Sequence, residues 1–539
     1  MNRFRMASAF LLAVMLCMVT TAWSQSNEGR IIGTIRDSSG AVVVGAKITI
    51  TNVDTNVVHS LVSNSSGDYV TPDLEPGLYT VSVEATGFKK STTTPFRLEV
   101  SRDARADVEL ITGSLNESVE VHEDATLTDT TNATLQGVLS NKAINELPLQ
   151  GRDFQNLLPL HPGVQRTPGG GFHSVTSNGN RPDDNNFFID GADDNDVYYG
   201  DTVINGAGIS GTPGSILPLD SIQEFNTQES PEADYGVKPG VVMNIGLKSG
   251  TNDIHGSAYY FTRNSAADAR NFFNTVGQPV ADLILHQFGA SIGGPIKKDK
   301  WFYFFNYEGI RDKIGNPVDV DTPVTDSLES RAGMLPSGTT PADYSIVDAI
   351  NDPVNGCIAL GNCNPQTMAL VTGGPNGHGV LPLNPGFTAL LSDPAAINYN
   401  FNNVSRGDNI IAKTDLNLNQ HNTLNARFIY SNTNQIEEDA LPVAPQWLSA
   451  ASPISQVFGV GWVWTPNAQW VNELRFSYNR FSEAIAPLDS NVNPTTYGID
   501  TGVTDPRLFG FPRINPGSET FNYLGGNSKI GRASCRERV

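Results

Sequence analysis

The chain has 539 residues, enough for several domains. Its 35 Lys and Arg against 56 Asp and Glu give a formal net charge of -21, which argues against nucleic acid or an anionic lipid surface as a partner. Only 17% of residues are charged and 51 are glycine, which suits turn-rich β-structure better than helical bundles, and four cysteines are too few for a disulfide scaffold.

Arg3 and Arg5 precede an apolar run over residues 9–19, and Ala22-Trp23-Ser24 carries small residues at the spacing a signal peptidase needs. The run is about 11 residues long, short of the ~20 that a spanning helix requires. A signal peptide over residues 1–24 is therefore expected. No later stretch spans a bilayer as a helix, so a membrane location must come from strands.

Residues 28–112 read as one small β-sandwich. Arg30 to Arg36 is a strand pattern, and Asp37-Ser38-Ser39-Gly40 is a turn. Between Ala46 and Asn52, Ile48 and Ile50 alternate with Lys47, Thr49 and Thr51, the mark of a half-buried strand. With these, about seven short strands stand at regular spacing. The runs GTIRDSSGAVVVGAKITITN and GDYVTPDLEPGLYTVSVEATGF resemble carboxypeptidase regulatory-like domains, which have a carbohydrate-binding-like fold. Tyr69, Leu74, Tyr79 and Phe88 would be core or corner residues. The resemblance carries no peptidase activity, because no His-x-x-Glu pair is present to hold zinc.

Residues 113–146 form a connector. Glu117-Ser118-Val119-Glu120-Val121 is a short extended segment by alternation, and the Thr-rich stretch after it has no strong periodicity.

Residues 147–240 form the next unit, and its motifs continue to 248. This stretch is Gly- and Asn-rich. Phe187-Phe188-Ile189 and Val241-Val242-Met243 are short buried-strand candidates, and Asp190-Gly191 is a turn signal. Ser221 to Phe225 reads as a short strand or helix. Gly191 is expected at positive φ, with Phe187 and Ile189 buried on one side of the strand before it. Asp190, Asp193, Asp194 and Asp196 crowd one loop. With no partner base near, this reads as a solvated or calcium-touching loop rather than an acid/base pair. LPLQGRDF, the NG-R-N-FFIDG run, DSIQEF and NIGLKSGTNDIHGS, in that order, resemble the plug of TonB-dependent outer-membrane receptors of the Oar-like branch. The resemblance implies that Glu117 to Val121 is the strand with which a TonB-like inner-membrane energy-coupling protein pairs by β-augmentation. An ordinary linker strand is the alternative.

Residues 241–528 read as part of an antiparallel outer-membrane barrel. Ile410, Ala412, Thr414, Leu416 and Leu418 share one face of a strand opposite Lys413, Asp415 and Asn417. Leu424, Ala426, Phe428 and Tyr430 repeat the pattern, as do Phe458, Val460, Trp462 and Trp464. An earlier hairpin pairs residues 284–292 with 301–307 through a turn over Gly293 to Lys300. Residues 311–407 read as a long external loop, in which Cys357 and Cys363 can bridge in an oxidising compartment, with free thiols as the alternative. His255, His286 and His421 are scattered, so no metal is assigned. A plug does not fit a barrel of eight to ten strands, which makes the chain the expected N-terminal part of a longer receptor. Residues 529–539 turn abruptly basic and read as a non-native tail.

The fold expected is thus all-β dominated: an N-terminal β-sandwich, an α+β plug and part of a transmembrane barrel. The expected location is the outer membrane of a Gram-negative cell, with the first domain in the periplasm. The expected function is uptake of a nutrient ligand (an iron chelate, an oligosaccharide or a peptide), with outer-membrane lipid around the barrel. A surface carbohydrate-binding or adhesion protein without active transport is the alternative. No catalytic residue and no cofactor is assigned.

Overall fold

The computed structural model describes residues 29–113, 118–121, 136–166, 175–196, 202–204, 216–229, 231, 238–269, 282–321, 357–363, 396–437, 445–467, 470–497, 500–506, 509–513 and 533–538. The expected signal peptide and Glu117 lie outside them.

The first domain is a sandwich of two sheets. One is built on Ile31–Asp37, flanked by Asp68–Val70 and Ala104–Arg105; in the other, Gly77–Glu84 lies between Lys47–Asn52 and Lys90–Thr93. Alternation dictates the core: Ile48, Ile50, Val81 and Val83 point inward and are fully buried with Ile31, Ile35 and Leu98. Tyr69, Leu74 and Tyr79 join them, while Phe88 packs at the margin. The buried tyrosines keep their hydroxyls satisfied. Tyr69 donates to the Ala106 carbonyl at 2.6 Å, and Tyr79 to the Glu75 carbonyl at 2.8 Å, which fixes the turn carrying Glu75.

The central domain is a five-stranded mixed sheet in the order Gln136–Ser140, Ile222–Gln228, Val242–Leu247, Asn186–Ile189, Ala192–Asp193. Asn186–Ile189 runs parallel to Val242–Leu247, and the other pairings are antiparallel. Residues 219–221 form one 3-10 turn before strand Ile222–Gln228 begins. Phe154, Leu157, Phe187, Ile189, Phe225, Met243 and Ile245 form the core. Phe188, on the opposite face of its strand, is buried too and packs with Val242.

Among the described residues, the third unit is one antiparallel sheet of ten strands, two of them off the main path, that does not close on itself. Its strands include His255–Asn264, Leu283–Lys297, Trp301–Asp321, Ala396–Asn419, Asn422–Glu437, Ile454–Asn467 and Trp470–Glu483, each long enough to cross a bilayer. Ile410, Ala412, Leu416, Phe428, Phe458 and Trp464 face outward; Asn409, Lys413, Asp415, Asn425 and Arg427 face inward and are buried. Some inward positions are apolar, Phe302 and Phe304 among them. Ile411, Ile429 and Val457, on neighbouring strands, belong to the core of the central domain. His255, His286 and His421 each lie within hydrogen-bond distance of a Thr, a Tyr or a backbone oxygen.

Two expectations are corrected here. The turn placed over Gly293 to Lys300 is only Lys298 to Lys300, because Leu283–Lys297 continues through the glycines. Those glycines are close-approach sites: a Cβ on Gly293 would meet His255 Nε2 at 2.7 Å and Phe304 Cδ2 at 3.3 Å. A register shift between Pro295 and Lys297 absorbs the proline. The long external loop is also shorter than expected, since Trp301–Asp321 and Ala396–Asn419 stay paired from Trp301↔Leu416 out to Asp321↔Ala396. The ladder satisfies backbone groups that a loop would leave to water, so it outlasts the membrane-length alternation.

Candidate functional site

Asp190 and Gly191 close the hairpin between Asn186–Ile189 and Ala192–Asp193, at φ +49° and +71°. Two consecutive positive φ values give the primed turn that matches strand twist, and glycine adopts the second at no steric cost. Asp190 does not sit in a solvated loop. Its N–H donates to the Ile245 carbonyl at 2.8 Å, and Leu247 N–H donates to its Oδ1 at 2.9 Å. Asp194 is also buried, accepting from Thr202 Oγ1 and from Ile204 N–H at 3.1 Å. Asp190 and Asp194 are therefore structural acceptors, since buried carboxylate oxygens need donors. The turn also touches the barrel wall: Arg475 donates to the Asp190 carbonyl at 3.4 Å, and Asn479 to the Asp193 carbonyl at 2.6 Å.

The three units meet at this turn. Lys413 Nζ lies 3.1 Å from Asp190 Oδ2 and 3.4 Å from Glu75 Oε2, with its side chain only 2% exposed. Asn425 donates to Glu75 Oε1 at 3.4 Å. Beside these groups is a cavity of about 180 Å³ lined by Asp73, Glu75, Asp190, Ser249, Asp415 and Thr423 among others. A second contact joins the first domain to the central sheet. Arg97 Nη2 is 2.7 Å from Glu224 Oε2, Val100 N–H donates to Glu224 Oε1, and Asn226 Nδ2 donates to the Val100 carbonyl at 2.9 Å. A third lies at the short barrel turn, where Asn56 and Asn252 donate to Asp299 Oδ1 at 3.1 and 2.7 Å.

Sequence reading missed Glu75, Arg97, Glu224 and Lys413. One signal was available for Glu224, a carboxylate in a short run bounded by the apolar Ile222 and Phe225. Arg152 of the LPLQGRDF run was missed as well. It stands over the Phe261 ring at 3.9 Å, tying the central domain to the first barrel strand.

Two other sets of expected site residues fall elsewhere. Ser118–Val121 is a strand, and it is already paired in parallel with Lys90–Thr93, making it the edge of the first domain's larger sheet. Cys363 is disulfide-bonded; Cys357 opens the short helix Cys357–Leu360, and its side chain lies outside the described residues.

Burial pushes the Asp73 carboxyl up to about 6, with Glu473 across the interface adding to the shift and Arg30 and Arg475 opposing it. Burial also raises Glu224, against the pull of Arg97. The Asp73 carboxyl, raised in the docked state by burial and by Glu473, binds its proton more tightly there than in the separated domain. Docking therefore strengthens as pH falls from about 6 toward ~4, and the penalty is fully present above 6. Asp73→Asn is expected to tighten docking at neutral pH and to flatten this dependence. Protease release of the first domain between pH 5 and 7.5 measures it, and an unchanged pH profile in the variant would contradict the assignment.

An antiparallel sheet with an apolar outer face, holding a folded domain against its inner face, is the arrangement of an outer-membrane barrel protein. Residues 246–534, more than half of the chain, match the outer membrane beta barrel domain family, so the chain belongs to that family and is an outer-membrane protein. Residues 30–111 match the carboxypeptidase regulatory-like domain. The TonB-dependent transporter Oar of Myxococcus xanthus is 27% identical over 424 residues, which cover 73% of this chain and 38% of that protein. The chain thus spans well under half the length of that relative. Among solved structures it is similar to the outer membrane transporter YddB of Escherichia coli, at 11% identity and TM-score 0.45, covering 75% of this chain and 44% of that one. It is also similar to a mutant of the ferric enterobactin receptor of Pseudomonas aeruginosa, at 13% identity and TM-score 0.38, covering 75% and 45%.

Proposed function

We propose that the protein is a TonB-dependent transporter that takes up a small or medium-sized nutrient ligand across the outer membrane. The central domain is the plug, and Glu117 to Val121 is the segment that an inner-membrane energy-coupling protein grips. The observation that carries this reading is the continuity of the central core with Ile411, Ile429 and Val457. A domain whose apolar core is completed by the inner face of the barrel wall is seated in the lumen and occludes it. The ligand is an iron chelate, an oligosaccharide or a peptide. The fold of the first domain favours carbohydrate only by analogy.

Orientation follows from the loops. The first domain contacts the short turn at Asp299, the side that faces the periplasm in such barrels. The long connection between Trp301–Asp321 and Ala396–Asn419 then faces outward. Cell fractionation should place the receptor in the outer membrane. A label inserted within residues 322–395 should react on intact cells, and one at Lys298 only after the outer membrane is opened. The reverse labelling, or a cytoplasmic pool, would contradict the reading.

A further inference from the structure

Lys413 is one buried cation facing carboxylates from two other domains, Asp190 at 3.1 Å and Glu75 at 3.4 Å. Asp415 lies two residues further along the same strand, on the same inward face, and lines the adjoining cavity with both of them. Three carboxyl groups from three domains thus gather around one ammonium. At this burial, charges are poorly screened, so each carboxylate feels the others as well as the lysine. The Tyr79 hydroxyl donates to the Glu75 backbone carbonyl at 2.8 Å, which anchors the turn that presents the carboxylate. Asp190 is fixed likewise by Leu247 and Ile245.

We propose that Lys413 is a relay through which the first domain controls the plug: Glu75 competes with Asp190 for the one ammonium, so docking of the domain weakens the barrel's hold on the FFIDG turn. When the domain leaves, Glu75 takes its charge away and Lys413 pairs wholly with Asp190. When it docks, the pair is shared and the turn is held less firmly. The inference rests on reading residues 147–240 as the plug. Coupling of this kind is reciprocal, so removing the charge of Asp190 must change the docking of the first domain.

The test measures docking directly in the full receptor in outer-membrane vesicles. Val53→Cys and Lys298→Cys place thiols on the two sides of the cleft between the first domain and the short turn. The rate of joining by a short bis-thiol reagent reports the docked fraction, with single-cysteine variants as blanks. Glu75→Gln should lower the rate about tenfold. Asp190→Asn should raise it about threefold, because the repulsion between Asp190 and Glu75 is gone while asparagine keeps the oxygen that accepts from Leu247. Lys413→Met should lower the rate below that of Glu75→Gln, since the carboxylates then face each other without a cation. Adding Glu75→Gln to Lys413→Met should recover it, which a misfolded barrel would not do. An Asp190→Asn rate equal to that of the wild type, or a Lys413→Met loss that Glu75→Gln deepens, overturns the relay. If Asp190→Asn tightens docking while Gly191→Val leaves antibiotic exclusion intact, the relay stands and the plug reading fails.

Discussion

Gly191→Val is expected to make cells carrying the receptor sensitive to large antibiotics that the wild-type receptor excludes, by about tenfold in inhibitory concentration. Gly191 sits at φ +71° in a two-residue turn whose other member, Asp190, is also at positive φ. Forcing a side chain into the left-handed region costs about 1–2 kcal/mol, and a β-branched residue suffers most. The turn is held against outward relaxation, because Arg475 donates to the Asp190 carbonyl, Asn479 donates to the Asp193 carbonyl in the strand that follows, and Asp190 pairs with Lys413. Strain there displaces Phe187 and Ile189, which are buried in the core that the central domain shares with the barrel wall. Surface expression checked by antibody separates a loosened plug from a missing receptor. Unchanged sensitivity at equal expression would mean that the turn is not under this constraint or that residues 147–240 do not occlude a lumen.

Val119→Pro is expected to abolish energised uptake while leaving ligand binding at the surface intact. Ser118–Val121 already uses one edge against Lys90–Thr93, with Val119 opposite Ser91. A partner strand would add on the other edge and extend the sheet of the first domain. Proline removes a backbone donor and is poorly tolerated inside a paired strand, so it weakens whichever edge needs that N–H. Normal uptake in the variant would return the segment to linker status.

The barrel strands were legible because alternation is a local property: the residue types at 410–418 and 424–430 name their own faces. The FFIDG turn was legible for the same reason, since Asp-Gly after a short apolar run demands a primed turn whatever surrounds it. The glycines at 293 and 294 misled because glycine signals both a turn and a close approach, and only the neighbouring strand with Phe304 and His255 decides between them. The lysine node was illegible because Glu75 and Lys413 are 338 positions apart. Nothing near either residue says that it has a partner. The inward apolar set Ile411, Ile429 and Val457 was hidden similarly, because a lumen is polar by default and becomes apolar only where a folded domain presses on it.

Photo-crosslinking in living cells, with the photoreactive residue at Glu120, tests most directly whether this is a receptor pulled by an energy partner. The account predicts an adduct with an inner-membrane-anchored protein that reaches across the periplasm, and its loss when Val119→Pro is introduced into the same chain. Adducts only within the chain, to the first domain that already flanks this strand, would contradict it, as would an intermolecular adduct that Val119→Pro leaves unchanged.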